Sequence, residues 1–226
     1  MYGLLRQADD VLRRRPWTTG PAGALSALGR LAATILVFGL VYGAVMGLFG
    51  GVLGERLLMV LYSALKVPLL LLATFLLGLP SFFVLNSLLG LRRDFAEAVR
   101  ALMAAQAALA IILASLAPLT ALWYASSANY SAATLFNAVM FAVASFGAQG
   151  LLRGYYAPLI ARNRRHRWML WTWLVLYAFV GIQMAWMLRP FVGDPGMPVQ
   201  FFREERWENA YVQVFRIAWG LVTQGR

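Results

Sequence analysis

A chain of 226 residues with 61% hydrophobic and 13% charged side chains falls outside the range of soluble domains, which run near ~45–50% apolar and ~25% charged. A water-soluble core of this size could not hide so much apolar surface, whereas a bilayer removes the difficulty by acting as the apolar solvent. The formal charge of +11 does not indicate nucleic acid, because the positive residues interrupt membrane-length apolar runs instead of forming one basic face. Cysteine is absent, which excludes disulfides, thiolate metal sites and cysteine nucleophiles.

In chain order, Leu4, Leu5, Ala8, Val11 and Leu12 place an apolar stripe on a short helix that Pro16 and Trp17 close. Five stretches of membrane-crossing length follow, at about 31–50, 67–89, 101–122, 132–152 and 168–188. The first lies after Arg13, Arg14 and Arg15, but it is longer than a signal-peptide core and no small-residue cleavage pattern follows it, so a retained span is expected. Within it Gly39, Gly43 and Gly47 recur every fourth residue and leave a groove for close backbone approach, either inside the monomer or in a homo- or hetero-oligomer.

Residues 55–66 do not fit the second span, which would then exceed 30 residues. Val67 precedes Pro68 and is biased away from helical geometry, so a short interfacial helix is expected there, with Lys66 snorkelling to the outer head groups. Pro68 and Pro80, near Gly78, could instead make a functional break in the second span. Asp94 and Glu97 have the spacing of a capping box at the start of the third span, where Ala104, Ala108, Ala110 and Ala114 suggest close packing. The basic loop Arg162-Asn163-Arg164-Arg165-His166-Arg167 holds the single histidine, read as a head-group-facing residue. One histidine rules out a bis-histidine haem or a multi-histidine metal site within this chain, so no cofactor is expected.

Beyond the fifth span, three prolines stiffen a segment from Arg189 to Pro198 that bears Phe191 and runs on to Phe201 and Phe202. It suits either a docking surface or a cap on the bundle. In 207–222 an apolar stripe including Trp207, Tyr211 and Phe215 marks a second amphipathic helix, lying on the outer leaflet or against a partner.

Thirteen basic residues fall on the N-terminal segment and the second and fourth loops; seven fall on the other side. The positive-inside rule then puts the N-terminus in the cytoplasm and the C-terminal tail outside. With 19 Arg against one Lys, a bias common in GC-rich bacterial genomes, a bacterial inner membrane is the expected home. The cytoplasmic loops would meet anionic lipid head groups. No Asp or Glu lies inside the five spans, whose polar groups include Thr74, Asn86, Gln106, Asn137, Ser145 and Gln183. Uncharged amides at such positions usually bond between helices.

The stretch Ser63-Ala64-Leu65-Lys66-Val67-Pro68, leading to Leu79-Pro80-Ser81-Phe82-Phe83-Val84-Leu85-Asn86, resembles uncharacterised bacterial multi-pass proteins near the YIP1-like group. That resemblance implies a membrane-embedded helical domain without a known catalytic residue, linked in some members to trafficking or complex assembly.

The expectation is an all-α integral membrane protein: a five-span bundle over 31–188, a cytoplasmic amphipathic segment over 1–30, and an outer strap and amphipathic helix over 189–226. No enzyme is expected. The leading functional expectation is an accessory or scaffold subunit that packs against other integral membrane proteins. The alternative is a small solute or lipid transporter working through the proline-broken second span.

Overall fold

The computed structural model describes residues 2–18, 24–194 and 196–202. The predicted stripe with Trp207, Tyr211 and Phe215 lies outside them. Among the described residues the fold is helical throughout: α1 (Tyr2–Leu12), α2 (Ala24–Gly47), α3 (Arg56–Leu88), α4 (Phe95–Ser126), α5 (Tyr130–Arg162) and α6 (Arg165–Leu188), with single 3₁₀ turns at Pro16–Thr18, Leu48–Gly50 and Arg92–Asp94. Helices α2 to α6 are each long and apolar enough to cross a membrane, which makes a multi-pass membrane protein of the chain. They alternate in direction, so α1 and the α3–α4 and α5–α6 connections share one end of the bundle. The opposite end carries the α2–α3 and α4–α5 connections and the strap at 189–202.

The glycine groove is filled from within the chain. A Cβ on Gly43 would lie 2.8 Å from the Ala64 Cα, one on Gly47 2.5 Å from the Val60 Cα, and one on Gly39 3.1 Å from the Pro68 Cβ. Those glycines therefore let α2 and α3 approach backbone to backbone. Helix α4 sits at the centre. Its Ala101, Ala104, Ala107, Ala108 and Ala110 are buried, and small side chains around the whole circumference let α2 and α5 pack on it from different sides. Helix α6 leans on α3: Gly78 opens a space into which Trp173 fits, with ring edges against Phe75 and Phe82 at centroid distances of 5.8 and 5.2 Å.

Two expectations about α3 need correction. Residues 55–66 form no separate interfacial helix; α3 runs unbroken for 33 residues with Pro68 and Pro80 inside it. Each proline removes a backbone donor, but unwinding in an apolar solvent would free several more polar groups, and Gly39 leaves room for the Pro68 ring. Lys66 does not snorkel. It is fully buried, its Nζ donating to the Pro190 carbonyl at 2.6 Å and lying 4.9 Å from the Phe201 ring centroid.

The opposite end holds the third and fourth corrections. Asp94 precedes α4, yet its side chain makes no capping bond. Its carboxylate instead receives Arg162 at 3.4 Å and faces the His166 Nε2 at 3.0 Å, while Glu97 takes Arg162 at 2.7 Å. His166 is accordingly fully buried, not head-group-facing. The partner that sequence distance concealed comes from an element 72 residues away.

Helix α1 docks by Ala8 and Val11, whose carbonyl oxygen at Val11 accepts from the Tyr155 hydroxyl. Leu5 and Leu12 of the same predicted stripe stay exposed.

Candidate functional site

Helices α5 and α6 are joined by only residues 163–164, yet they touch little, because α5 stays with α4 while α6 leans on α3. The space left between the two pairs is a cavity of about 720 Å³ reaching from mid-bundle to the strap. That volume lies within the range of roughly 300–1,000 Å³ typical of small-molecule sites. Thr134 and Ala138 of α5 and Ala178 and Ile182 of α6 line it and are also exposed, so the cavity opens sideways between these two helices. In a bilayer that side faces lipid.

The floor is apolar, built from Leu70 and Leu71 of α3, Leu109 of α4 and Leu174 of α6. Polar groups enter it from several helices. Asn137 is the most firmly held: its Oδ1 accepts from the Tyr42 hydroxyl at 3.1 Å, and its Nδ2 donates to the Tyr124 hydroxyl at 2.5 Å and to the Ala133 carbonyl at 2.8 Å. One amide thus ties α2, α4 and α5 together beside the cavity. The Tyr177 hydroxyl donates to the Gln106 Oε1 at 2.6 Å, joining α6 to α4. Thr74, Ser145 and Gln149 also line the wall, and the Thr74 Oγ1 and Gln149 Oε1 are buried without a hydrogen-bond partner. Unpaired buried oxygens are costly unless water or a ligand reaches them.

The strap closes one end. Pro190, Phe191 and Val192 are part of the lining, and three side chains of α3 hold this segment. Arg56 donates to the Asp194 carbonyl at 2.8 Å, Ser63 to the Phe191 carbonyl and Lys66 to the Pro190 carbonyl. Arg189 lines the cavity at this end, with its guanidinium 3.3 Å from the Trp186 ring centroid. No Asp or Glu is in the lining, and Arg189 is its single charged side chain among the described residues.

The predicted polar residues separate accordingly. Asn137 lines the cavity, and Gln106 stands behind it through Tyr177. Gln183 is half-buried on α6 and is not in the lining. Asn86 lies towards the other end of α3, buried, its side-chain oxygen and nitrogen both without a hydrogen-bond partner. Of the predicted docking residues, Arg189 and Phe191 turn to the cavity, whereas Phe201 packs edge-on to Tyr62 and leaves Phe202 exposed beside it.

Sequence reasoning missed Gln149 and Tyr177. A signal existed: Thr134, Ala138, Phe141, Ser145 and Gln149 recur at helical spacing along one face of α5, a semipolar stripe on an otherwise lipid-suited helix. Ala178, Gly181 and Ala185 form a matching small-residue face on α6, which borders open space instead of another backbone. Around Gly181 the nearest atom to an added Cβ is the Thr74 Cγ2 at 3.5 Å.

Among the described residues no three His, Asp or Glu side chains gather as a metal site. Comparison with family models, characterised proteins and solved structures finds no match to this chain.

Proposed function

We propose that this protein is a non-enzymatic lipid-handling membrane protein that holds an amphipathic molecule between α3, α4, α5 and α6. The observation that carries this reading is the cavity itself: apolar at its floor, set with amides and hydroxyls at mid-depth, and open sideways between α5 and α6. A molecule diffusing in the bilayer reaches such an opening without crossing water. The Thr74 and Gln149 oxygens left unpaired in the wall offer hydrogen-bonding positions to polar groups on it. The path differs from a broken second span, since α3 is continuous and serves as a wall. The excess of basic residues on the N-terminal segment and the second and fourth loops supports a strap end that faces outward, and the bias of Arg over Lys supports a bacterial inner membrane; in that orientation the cavity's closed end lies at the outer leaflet.

Filling the cavity tests the proposal. Ala138→Trp and Ala178→Trp place an indole in the opening from either helix, at positions exposed enough to accept it. Protein purified in mild detergent should carry co-purifying lipid that both variants lose while remaining monodisperse. Equal lipid in wild type and both variants would refute the cavity as the binding place.

The second reading is the accessory subunit. Two surfaces that supported it are engaged within the chain: the glycine groove by α3, and the start of the strap by Arg56, Ser63 and Lys66. What favours it is exposed Phe202 on packed Phe201, an aromatic anchor leading into the stripe at 207–222. Truncation after Gln200 should then abolish co-purification of a partner while the five spans still insert; unchanged recovery counts against a docking tail.

A further inference from the structure

We infer that the ligand of the cavity is an uncharged lipid bearing an acceptor oxygen, hydroxyl or carbonyl, seated at mid-bilayer depth against Ser145 and Gln149 of α5. This rests on the proposed cavity reading and adds the charge of the ligand, its polar group and the height at which that group lies.

Ser145 and Gln149 stand about one helical turn apart on the face of α5 that lines the cavity. They flank the midpoint of Tyr130–Arg162, so in a bilayer they lie near its centre. Among the described residues neither side chain is bonded to another group of the protein. The Gln149 Oε1 is buried, which leaves the Nε2 as the open side of its amide. The Ser145 hydroxyl and this Nε2 are both donors, and side chains four residues apart on a helix reach one shared acceptor. Across the gap Ala178 and Gly181 of α6 bring no acceptor, so it has to come from whatever fills the cavity. The same height carries no charge. Counted from the α5–α6 connection, Gln149 and Ala178 each lie about 20 Å along their helices. Arg189, the one charged side chain among the described residues of the lining, lies roughly 16 Å further on, at the strap. An ion at Ser145 and Gln149 would lose its water and gain no counter-charge there. A phospholipid standing in either leaflet keeps its headgroup at the interface, about 15 Å from the bilayer centre, and would show these donors only methylenes. A lipid without charge has no such tether, and its oxygen can sink to the donors. A plain hydrocarbon fills the space but leaves both donors unpaired.

The test uses the full chain in neutral detergent and reads binding of tritiated oleyl alcohol by scintillation proximity, with unlabelled lipids of the same chain as competitors. Methyl oleate, whose oxygens only accept, should displace the tracer as well as oleyl alcohol does. The hydrocarbon 9-octadecene should compete roughly tenfold less well, the scale of one hydrogen bond. Oleyl phosphate, which carries charge, should also fall below the alcohol. Ser145→Ala combined with Gln149→Leu should bring methyl oleate and octadecene to parity, with octadecene still displacing the tracer, which shows that a folded cavity is being read. Arg189→Gln should leave the wild-type order as it is, and Ala138→Trp should lower tracer binding. Equal competition by octadecene and methyl oleate in wild type, an order that survives the double substitution, or an order that changes in Arg189→Gln overturns the inference. So does oleyl phosphate as the best competitor, or a tracer that wild type does not bind or that Ala138→Trp does not reduce. The cavity reading stands or falls separately, on the co-purifying lipid that Ala138→Trp and Ala178→Trp displace.

Discussion

Lys66 and Gly43 show how single residues set the α2–α3 half of the bundle. A lysine buried in an apolar bundle is tolerable only where its ammonium finds acceptors, and Lys66 finds the Pro190 carbonyl together with the Phe201 ring face. Lys66→Met keeps the stem and removes the donor, so the strap should loosen at a cost of about 1–3 kcal/mol. The cysteine-free chain makes this easy to read: Val192→Cys, at a buried position of the strap itself, should resist a membrane-permeant maleimide and become reactive when Lys66→Met is added. Equal reactivity in both backgrounds would mean that Lys66 does not hold the strap. At Gly43 the neighbouring atoms are backbone, with the Ala64 Cα 2.8 Å from an added Cβ, so no side chain can swing aside. Gly43→Leu should therefore separate α2 from α3, costing at least ~1–3 kcal/mol of packing and lowering membrane abundance. Wild-type abundance and an unchanged melting temperature would contradict that close approach.

Among whole elements, the junction of α4, α5 and α6 depends on a short chain of charges. Glu97 and Asp94 at the start of α4 receive Arg162 from the end of α5, and Asp94 also meets His166 in the first turn of α6. The Arg162 side chain is half-exposed, so its pairs contribute little alone, but His166 is buried and its loss of a partner is felt more. Asp94→Ala should lower thermal stability in detergent by about 1–3 kcal/mol, and His166→Ala by a similar amount. The double substitution should cost less than the two single losses added, with a coupling of at least ~0.5 kcal/mol. Strict additivity would show that the two residues are neighbours without mutual stabilisation. The same junction matters to the cavity, because α5 and α6 are pinned together here and diverge only beyond it.

For the molecule as a whole, orientation is the property on which both functional readings depend. Counted along the sequence, thirteen basic residues on the N-terminal segment and the second and fourth loops against seven elsewhere predict the N-terminus in the cytoplasm. A reporter fused after Arg226 should read as outside, and one inserted near Asn163 as inside. Both reporters on one side would contradict five crossings. An inverted result would keep the five-helix fold but place the cavity's closed end, with Arg189, at the cytoplasmic leaflet.

The sequence by itself determined the solvent and the number of long helices, because apolar length and loop charge are local properties written along the chain. The spans at 31–50, 67–89, 101–122, 132–152 and 168–188 each coincide with a helix of the structure, the first running on into the 3₁₀ turn at Leu48–Gly50 and the second passing Leu88 by one residue, although α3, α4 and α5 run to 32 or 33 residues. The groove at Gly39, Gly43 and Gly47 was legible for the same reason, a fixed spacing on one face. Its occupant was not, since nothing in the spacing distinguishes a helix of the same chain from a helix of another. Proline was misleading at 68, because its local bias against helix competes with a bilayer's larger penalty on any unpaired backbone group. Lys66, Asp94 and His166 were misplaced for one shared reason: each is satisfied by a residue distant in sequence, at Pro190 or across the α4–α6 junction. The cavity is the extreme case. It exists because α6 packs on α3 while α5 packs on α4, and a space bounded by several helices belongs to none of them. Only the tertiary arrangement decided that the small and semipolar faces of α5 and α6 would border open volume instead of each other.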